Sequence, residues 1–318
     1  MGSKTSIEWT KGADGTAGAT WTAIRARYME IQNDGRGKER IGWHCEHASD
    51  GCRYCYAEGI NRRLGTGLDF KPENLHREER VGRNNGDSVL FLDDRTLRAP
   101  LKWKKPRFIF VCSMTDLFAD FVSDEWIDKK MAVMAQCPQH VFQILTKRSN
   151  RARDYMRKLA DEPERLGCHV DPKDRKTVTK VLHQVPLPNV WMGVSCEDQK
   201  NADARVPDLL ATPAAVRFLS VEPMLGWVSL AQYLEYLDWI IIGGESGLKA
   251  RPFHLSWAKS LVEQCQAADV AVFVKQLGSK AWDDISYQGS THAFPTRDRK
   301  GGDLTEWPEV LKVREMPA

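Results

Sequence analysis

The sequence contains no apolar run long enough to span a bilayer, and its opening residues, Met1-Gly2-Ser3-Lys4-Thr5-Ser6-Ile7-Glu8, carry no apolar stretch of the kind that directs secretion. Both absences point to a cytoplasmic protein whose thiols stay reduced. Charge of one sign is lacking as well. With 46 Lys and Arg against 43 Asp and Glu, the chain is close to neutral, so net charge alone gives little support for a nucleic-acid partner. No fixed-period repeat or long low-complexity tract is present, which excludes solenoids and arrays. A disulfide framework is missing too: Cys112, Cys137, Cys168, Cys196 and Cys265 are scattered singly through apolar or helical-looking surroundings.

The remaining cysteines are bunched. Cys45, Cys52 and Cys55 lie in the run Trp43-His44-Cys45-Glu46-His47-Ala48-Ser49-Asp50-Gly51-Cys52-Arg53-Tyr54-Cys55, and thiolates this close, on a loop opened by Gly51, can converge on one metal centre. Three ligands leave a position open where a closed tetrahedral site takes four. An iron–sulfur cluster fits that count. A structural zinc site would recruit His44 or His47, although a second Cys-x-x-Cys knuckle is absent, and unligated thiols are the third reading.

At 318 residues, 42% of them hydrophobic, the chain can bury the core of one α/β barrel or of two ordinary domains. From residue 106 onward, short apolar runs alternate with helical segments. The strands expected are Phe108–Cys112, Val141–Leu145, Val190–Val194, Val216–Val221, Trp239–Ile242 and Val270–Val274, with a first strand near Glu39–Trp43 leading into the cysteine loop. Helices are expected over Asp124–Cys137, Asn150–Ala160, Asn201–Leu210, Ser229–Tyr236 and Leu255–Ala268. Apolar strands separated by helices form a parallel sheet, wound by right-handed crossovers into a partial or full (β/α) barrel.

Each of these strands ends in chemistry. Ser113, Thr115 and Asp116 follow the second, Lys147 the third, Ser195 and Glu197 the fourth, Glu222 the fifth, Glu245 the sixth, and Lys275 with Gln276 the last. In a parallel barrel these ends open on one face, where active sites lie. A lone polar residue after a strand is usually a helix cap, but six in series on one rim indicate an enzyme handling a polar substrate rather than a passive binding module.

The stretches Gly12–Gly37 and Arg77–Arg95 read as surface loops or insertions, as does Gly167–Val185, where Cys168, His169 and His183 are weighed as metal ligands and set aside. Basic runs at Arg25–Arg27, Arg36–Arg40, Arg62–Arg63, Arg77–Arg83 and Lys102–Arg107 mostly flank the cysteine loop; they suit phosphate contacts or an ordinary solvated surface. Residues 1–278 are expected to form the barrel and 279–318 an extension packed on it.

The chain also carries Ser6-Ile7-Glu8-Trp9-Thr10, Cys-x6-Cys-x2-Cys followed by Tyr56-Ala57-Glu58, Ser113-Met114-Thr115-Asp116-Leu117-Phe118 and Leu145-Thr146-Lys147-Arg148. Further along come Gly193-Val194-Ser195-Cys196-Glu197, Ser220-Val221-Glu222-Pro223-Met224, Gly243-Gly244-Glu245-Ser246-Gly247, Lys275-Gln276, Gly301-Gly302-Asp303 and Glu306-Trp307-Pro308. Together they resemble the phage- and prophage-encoded radical-SAM-like proteins with a three-cysteine motif, across nearly the whole chain. The first cysteine gap, six residues, is wider than in the common radical-SAM loop.

The resemblance implies a barrel of radical-SAM type, a 4Fe–4S cluster on Cys45, Cys52 and Cys55, and S-adenosyl-L-methionine on its free iron. It implies cofactor contacts from Ser113, Thr115, Asp116, Lys147, Ser195 and Glu197, and leaves Glu222, Glu245, Lys275 and Gln276 for the substrate. It also implies a flavodoxin- or ferredoxin-type reductase as electron donor, and host cytoplasm as the location of a phage-encoded protein. The expected reaction is modification of a nucleotide or nucleic-acid base, including hypermodification of phage DNA by isomerisation, cleavage or transfer. A zinc-stabilised nucleic-acid-binding module, and a radical enzyme acting on a peptide or small metabolite, are the competing expectations.

Overall fold

In the computed structural model, residues 5, 7–12, 14–76, 87–172, 185–283 and 292–317 are described. Seven parallel strands form the central sheet: β1 (Gly18–Trp21), β5 (Phe108–Val111), β6 (Val141–Thr146), β7 (Val190–Ser195), β8 (Val216–Val221), β9 (Trp239–Gly243) and β11 (Ala271–Gln276). Their order follows the chain, β1-β5-β6-β7-β8-β9-β11, so the sheet curls in one direction into a half-barrel, its β1 and β11 edges unpaired with one another. Helices Asp124–Ala135, Ser149–Asp161, Gln199–Leu210 and Leu255–Ala267 lie in the crossovers, as parallel connections require. Among the described residues no helix is long and apolar enough to cross a membrane.

Side chains alternate between the two faces of each strand. One set, including Ile109, Val111, Ile144, Val194, Leu219, Ile240, Ile242 and Val274, joins the helices in the large core. The alternate set makes a second core on the concave face: Phe110, Trp191, Phe218, Trp239, Ile241 and Phe273, plugged by Trp9 from the N-terminal segment. Gly193 is the gap that admits the Phe218 ring, since a Cβ there would sit 2.5 Å from its carbons. The concave face thus has an aromatic floor. Continuing the alternation upward along the same strands reaches Ser195, Ser220, Lys275 and the residues just past the strand ends.

The strands and helices expected after residue 106 are present within a few residues of their expected ends, with one exception. Ser229–Tyr236 is not an α-helix but a chain of turns with a 3₁₀ turn at Leu234–Tyr236. Its amides are taken by glutamines instead: Ser229 N–H donates to Gln199 Oε1 at 2.7 Å and Leu230 N–H to Gln264 Oε1 at 2.8 Å.

The first strand also differs. Glu39–Trp43 belongs to β3 (Gly37–Gly42), which with β2 (Ile24–Ile31) and β4 (Val89–Leu92) makes a small antiparallel sheet. The central sheet begins at β1, inside the Gly-rich stretch expected to be a loop. Four residues, Gly-Ala-Thr-Trp, are too few to show a period, and β1 is fixed by pairing Gly18 through Trp21 against Phe108 through Val111. The 77–86 part of the second expected loop, and His183, lie outside the described residues.

The segment after residue 278 adds β12 (Ala281–Asp283), which pairs with β10 (Phe253–His254) and β13 (His292–Ala293). Its Trp307 and Leu311 are buried in the main core.

Candidate active site at the strand ends

The cysteine loop leaves β3 and leads into the helix Tyr56–Leu64. It lies across the C-terminal ends of the parallel strands, and its contacts follow their order. Beyond β5, the Thr115 hydroxyl donates to the His44 carbonyl at 2.6 Å. Beyond β6, Arg148 donates to the Glu46 carbonyl at 3.0 Å. Beyond β7, Glu197 accepts from the Ser49 hydroxyl at 2.6 Å. Beyond β9, Arg251 donates to the Asp50 carbonyl at 2.9 Å.

Two of these contacts rest on buried ion pairs. Glu197, 0% exposed, also accepts from Arg205 at 2.9 Å and from the Lys147 ammonium. Burial raises the cost of its charge, but Lys147, Arg205 and Ser49 together hold its carboxyl below the usual carboxylate range. Glu245 grips Arg251 bidentately, at 2.7 and 3.0 Å, and holds that guanidinium above its ordinary value. The Arg251 guanidinium also lies 5.4 Å from the Tyr54 ring.

Asp116 is buried, and its carboxylate accepts from Phe118 N–H at 3.0 Å, Thr146 Oγ1 at 2.6 Å and Lys147 N–H at 2.9 Å. Just before it, Cys112 adopts left-handed backbone, φ 58°, which turns the chain sharply after β5. The Ser113 carbonyl accepts from the Tyr56 hydroxyl at 2.6 Å. Across the mouth Lys275 donates to Glu222 at 2.5 Å, while Gln276 turns inward to the Gly244 carbonyl at 2.8 Å. Ser195 is buried on β7, and its carbonyl accepts from Arg205 at 2.6 Å.

The expected residues therefore share one rim, but several are already engaged. Thr115, Glu197 and, through Arg251, Glu245 hold the loop, and Gln276 holds backbone. Ser49, Arg205 and Arg251 join the candidate site without being marked in the sequence, and Arg148 joins it from a motif in which only Lys147 carries an expected role. Arg251 meets Asp50 from 201 positions away, and no local pattern marks such a contact.

Cys45, Cys52 and Cys55 are free and partly buried. Cys45 and Cys55 pack with Trp43, Ile60, Ala57, Phe70 and Met114. Burial first, then the nearness of Asp116 and Cys55, pushes the Cys45 thiol up, against the pull of Arg148. Burial does the same to Cys55, partly offset by the amides of Glu58 and Ala57. Among the described residues, no group of three or more His, Cys, Asp or Glu side chains converges in the manner of a formed metal site.

The donors fit a thiolate-bound centre in kind: three free thiols on one loop. Ligation would replace those protons by the metal's own charge. Cys168 is exposed and His169 lies 3.9 Å from Asp128, well apart from this loop in the chain.

The family model for protein of unknown function DUF5131 matches residues 41–306. The chain belongs to that family. No curated protein and no solved structure matches it. The matched span contains the cysteine loop, all four anchors and every strand of the central sheet except β1.

Proposed function

We propose that this chain is a radical S-adenosylmethionine enzyme whose substrate is a nucleotide or a base in nucleic acid. The observation that carries the reading is three reduced thiols on one loop, laid over the charged C-terminal rim of a parallel half-barrel. Cys45, Cys52 and Cys55 would hold a 4Fe–4S cluster, with one iron left for the amino and carboxylate groups of S-adenosylmethionine. When bound and reduced, that pair supplies one-electron cleavage of the sulfonium and, from it, hydrogen abstraction at an unactivated carbon.

The protein's part is placement. Asp116, fixed by three donors, keeps acceptor capacity for an ammonium group. Ser113 stands beside it, and Lys147, paired with Glu197, brings its ammonium to the rim where a carboxylate or phosphate would share it. Ser195 lines the concave face between them. Glu222 and Lys275 form a paired acid and base for the substrate on the far side. The aromatic floor closes the lumen below, which keeps water from a reactive intermediate. Exposed Tyr54 and Tyr56 at the mouth, with Arg62 and Arg63 on the following helix, suit base stacking and phosphate contact.

Anaerobic reconstitution with iron and sulfide should give brown protein containing about four irons per chain. Alanine at Cys45, Cys52 or Cys55 abolishes it, whereas Cys137→Ala and Cys265→Ala do not. Reduced protein given deuterated nucleosides, nucleotides or DNA should pass deuterium into 5′-deoxyadenosine. Stoichiometric zinc with no iron uptake would overturn the cofactor, and label transfer only from a peptide or unrelated metabolite would overturn the substrate class.

A further inference from the structure

The anchors of the cysteine loop form an ordered series. Along the loop they fall at His44, Glu46, Ser49 and Asp50; along the sheet they come from the ends of β5, β6, β7 and β9. The loop is therefore stretched across the rim and fastened strand by strand. Two fastenings are rigid because their barrel-side partners are themselves locked. Glu197 is held by Lys147 and Arg205 with no exposed surface, and Arg251 by both oxygens of Glu245.

We propose that Thr115, Arg148, Glu197 and Arg251 are positioning residues that lace the cysteine loop to the barrel and set where Cys45, Cys52 and Cys55 stand before any cofactor is bound. This rests on the reading of those cysteines as cluster ligands, but its test does not need the cluster. It gives Thr115, Glu197 and Glu245 roles other than contact with cofactor or substrate. The Thr115 hydroxyl and Glu197 Oε1 are committed to the loop and the Glu245 carboxylate to Arg251, and withdrawing Glu197 would strand the buried Arg205 and the partly buried Lys147. Gly51 completes the fit, because its Cα faces the Glu197 carboxylate with no room for a side chain.

The experiment is amide hydrogen exchange on the reduced, iron-free full chain, comparing wild type with Ser49→Ala, Arg251→Ala, both together, and Ser49→Thr. Ser49→Ala removes only a hydroxyl and leaves the ion cluster around Glu197 intact. Loss of one net hydrogen bond predicts exchange over residues 44–53 faster by about tenfold in Ser49→Ala, and by at least as much in Arg251→Ala, which also leaves the buried Glu245 carboxylate without its guanidinium. The pair should show roughly the product, with the amides of β6 to β9 unmoved. Ser49→Thr, which keeps the donor, should exchange as wild type does.

Unchanged exchange over 44–53, or acceleration spread equally through the strands, would overturn the proposal. Should the variants exchange as expected while wild type takes up no iron, the cofactor reading fails and the lacing stands.

Discussion

At the scale of single residues, Gly51 decides whether the loop can sit where it does. It lies in the 3₁₀ turn Asp50–Cys52, so it is required by space rather than by a special dihedral. A Cβ there would fall 2.2 Å from Glu197 Oε1 and 2.4 Å from its Cγ. Either the loop lifts or the carboxylate leaves Lys147 and Arg205. Gly51→Ala should therefore cost about 1–3 kcal/mol, as overpacking at a tight contact does, and should slow iron loading. Gly59, on the helix that follows, meets nothing within 4 Å. Gly59→Ala should be neutral or stabilising by up to about 1 kcal/mol, as expected for an open helical position. Urea midpoints for the two variants check the contrast, and equal destabilisation of both would refute it.

At the scale of elements, the sequence was most legible where strands are apolar on both faces. Runs such as Phe108-Ile109-Phe110-Val111 and Trp239-Ile240-Ile241-Ile242 serve two cores at once. β1 escaped because its hydrogen bonds come from β5, not from local pattern, and Glu39–Trp43 was mistaken for it because an antiparallel edge strand shares the same alternation. The rim residues were legible for a related reason: strand ends in a parallel sheet share a face. Their partners were not, since Ser49–Glu197 and Asp50–Arg251 are contacts between distant segments.

The helix Asp124–Ala135 hides a further surprise. Lys130 is 0% exposed, and its ammonium lies 3.5 Å above the Trp21 ring of β1. Burial pushes it below the ordinary lysine value, opposed by the Cys112 thiol. A lysine whose folded value is depressed weakens the fold at low pH, and that cost fades as pH rises toward the ordinary value near 10.4. Lys130→Met should therefore be at least as stable as wild type near pH 7, with the gap narrowing as pH rises. Denaturation of both proteins across that range tests the sign, and a gap that widens with pH would contradict it.

At the scale of the whole molecule, an open half-barrel leaves two free edges and an unfilled lumen, and segments outside the family-matched span attend to each. β1 ends the sheet at one side and Trp9 fills the lumen, both before residue 41; at the other side the tail covers β11. Val274 N–H donates to the Val313 carbonyl and Glu315 N–H to the Val272 carbonyl, both at 2.9 Å, so the tail adds a short antiparallel pairing to the outer edge. The Glu315 carbonyl accepts from Trp239 Nε1 at 2.9 Å, and its carboxylate from Val272 N–H at 3.0 Å. Arg314 lies against Phe273 and Trp307. A bare, apolar strand edge is a template for pairing with another chain. A chain ending at Lys312 retains the buried Leu311 and the whole rim, yet loses this cover. It should melt several degrees lower, by the size of effect a few lost hydrogen bonds produce in a domain of this length, and should self-associate on concentration. Glu315→Ala, which keeps the backbone pairing, should melt between the two and keep the association state of the wild type. Calorimetry with light scattering distinguishes these outcomes, and a truncated chain that melts with wild type and scatters as wild type does would show that the β11 edge needs no cover.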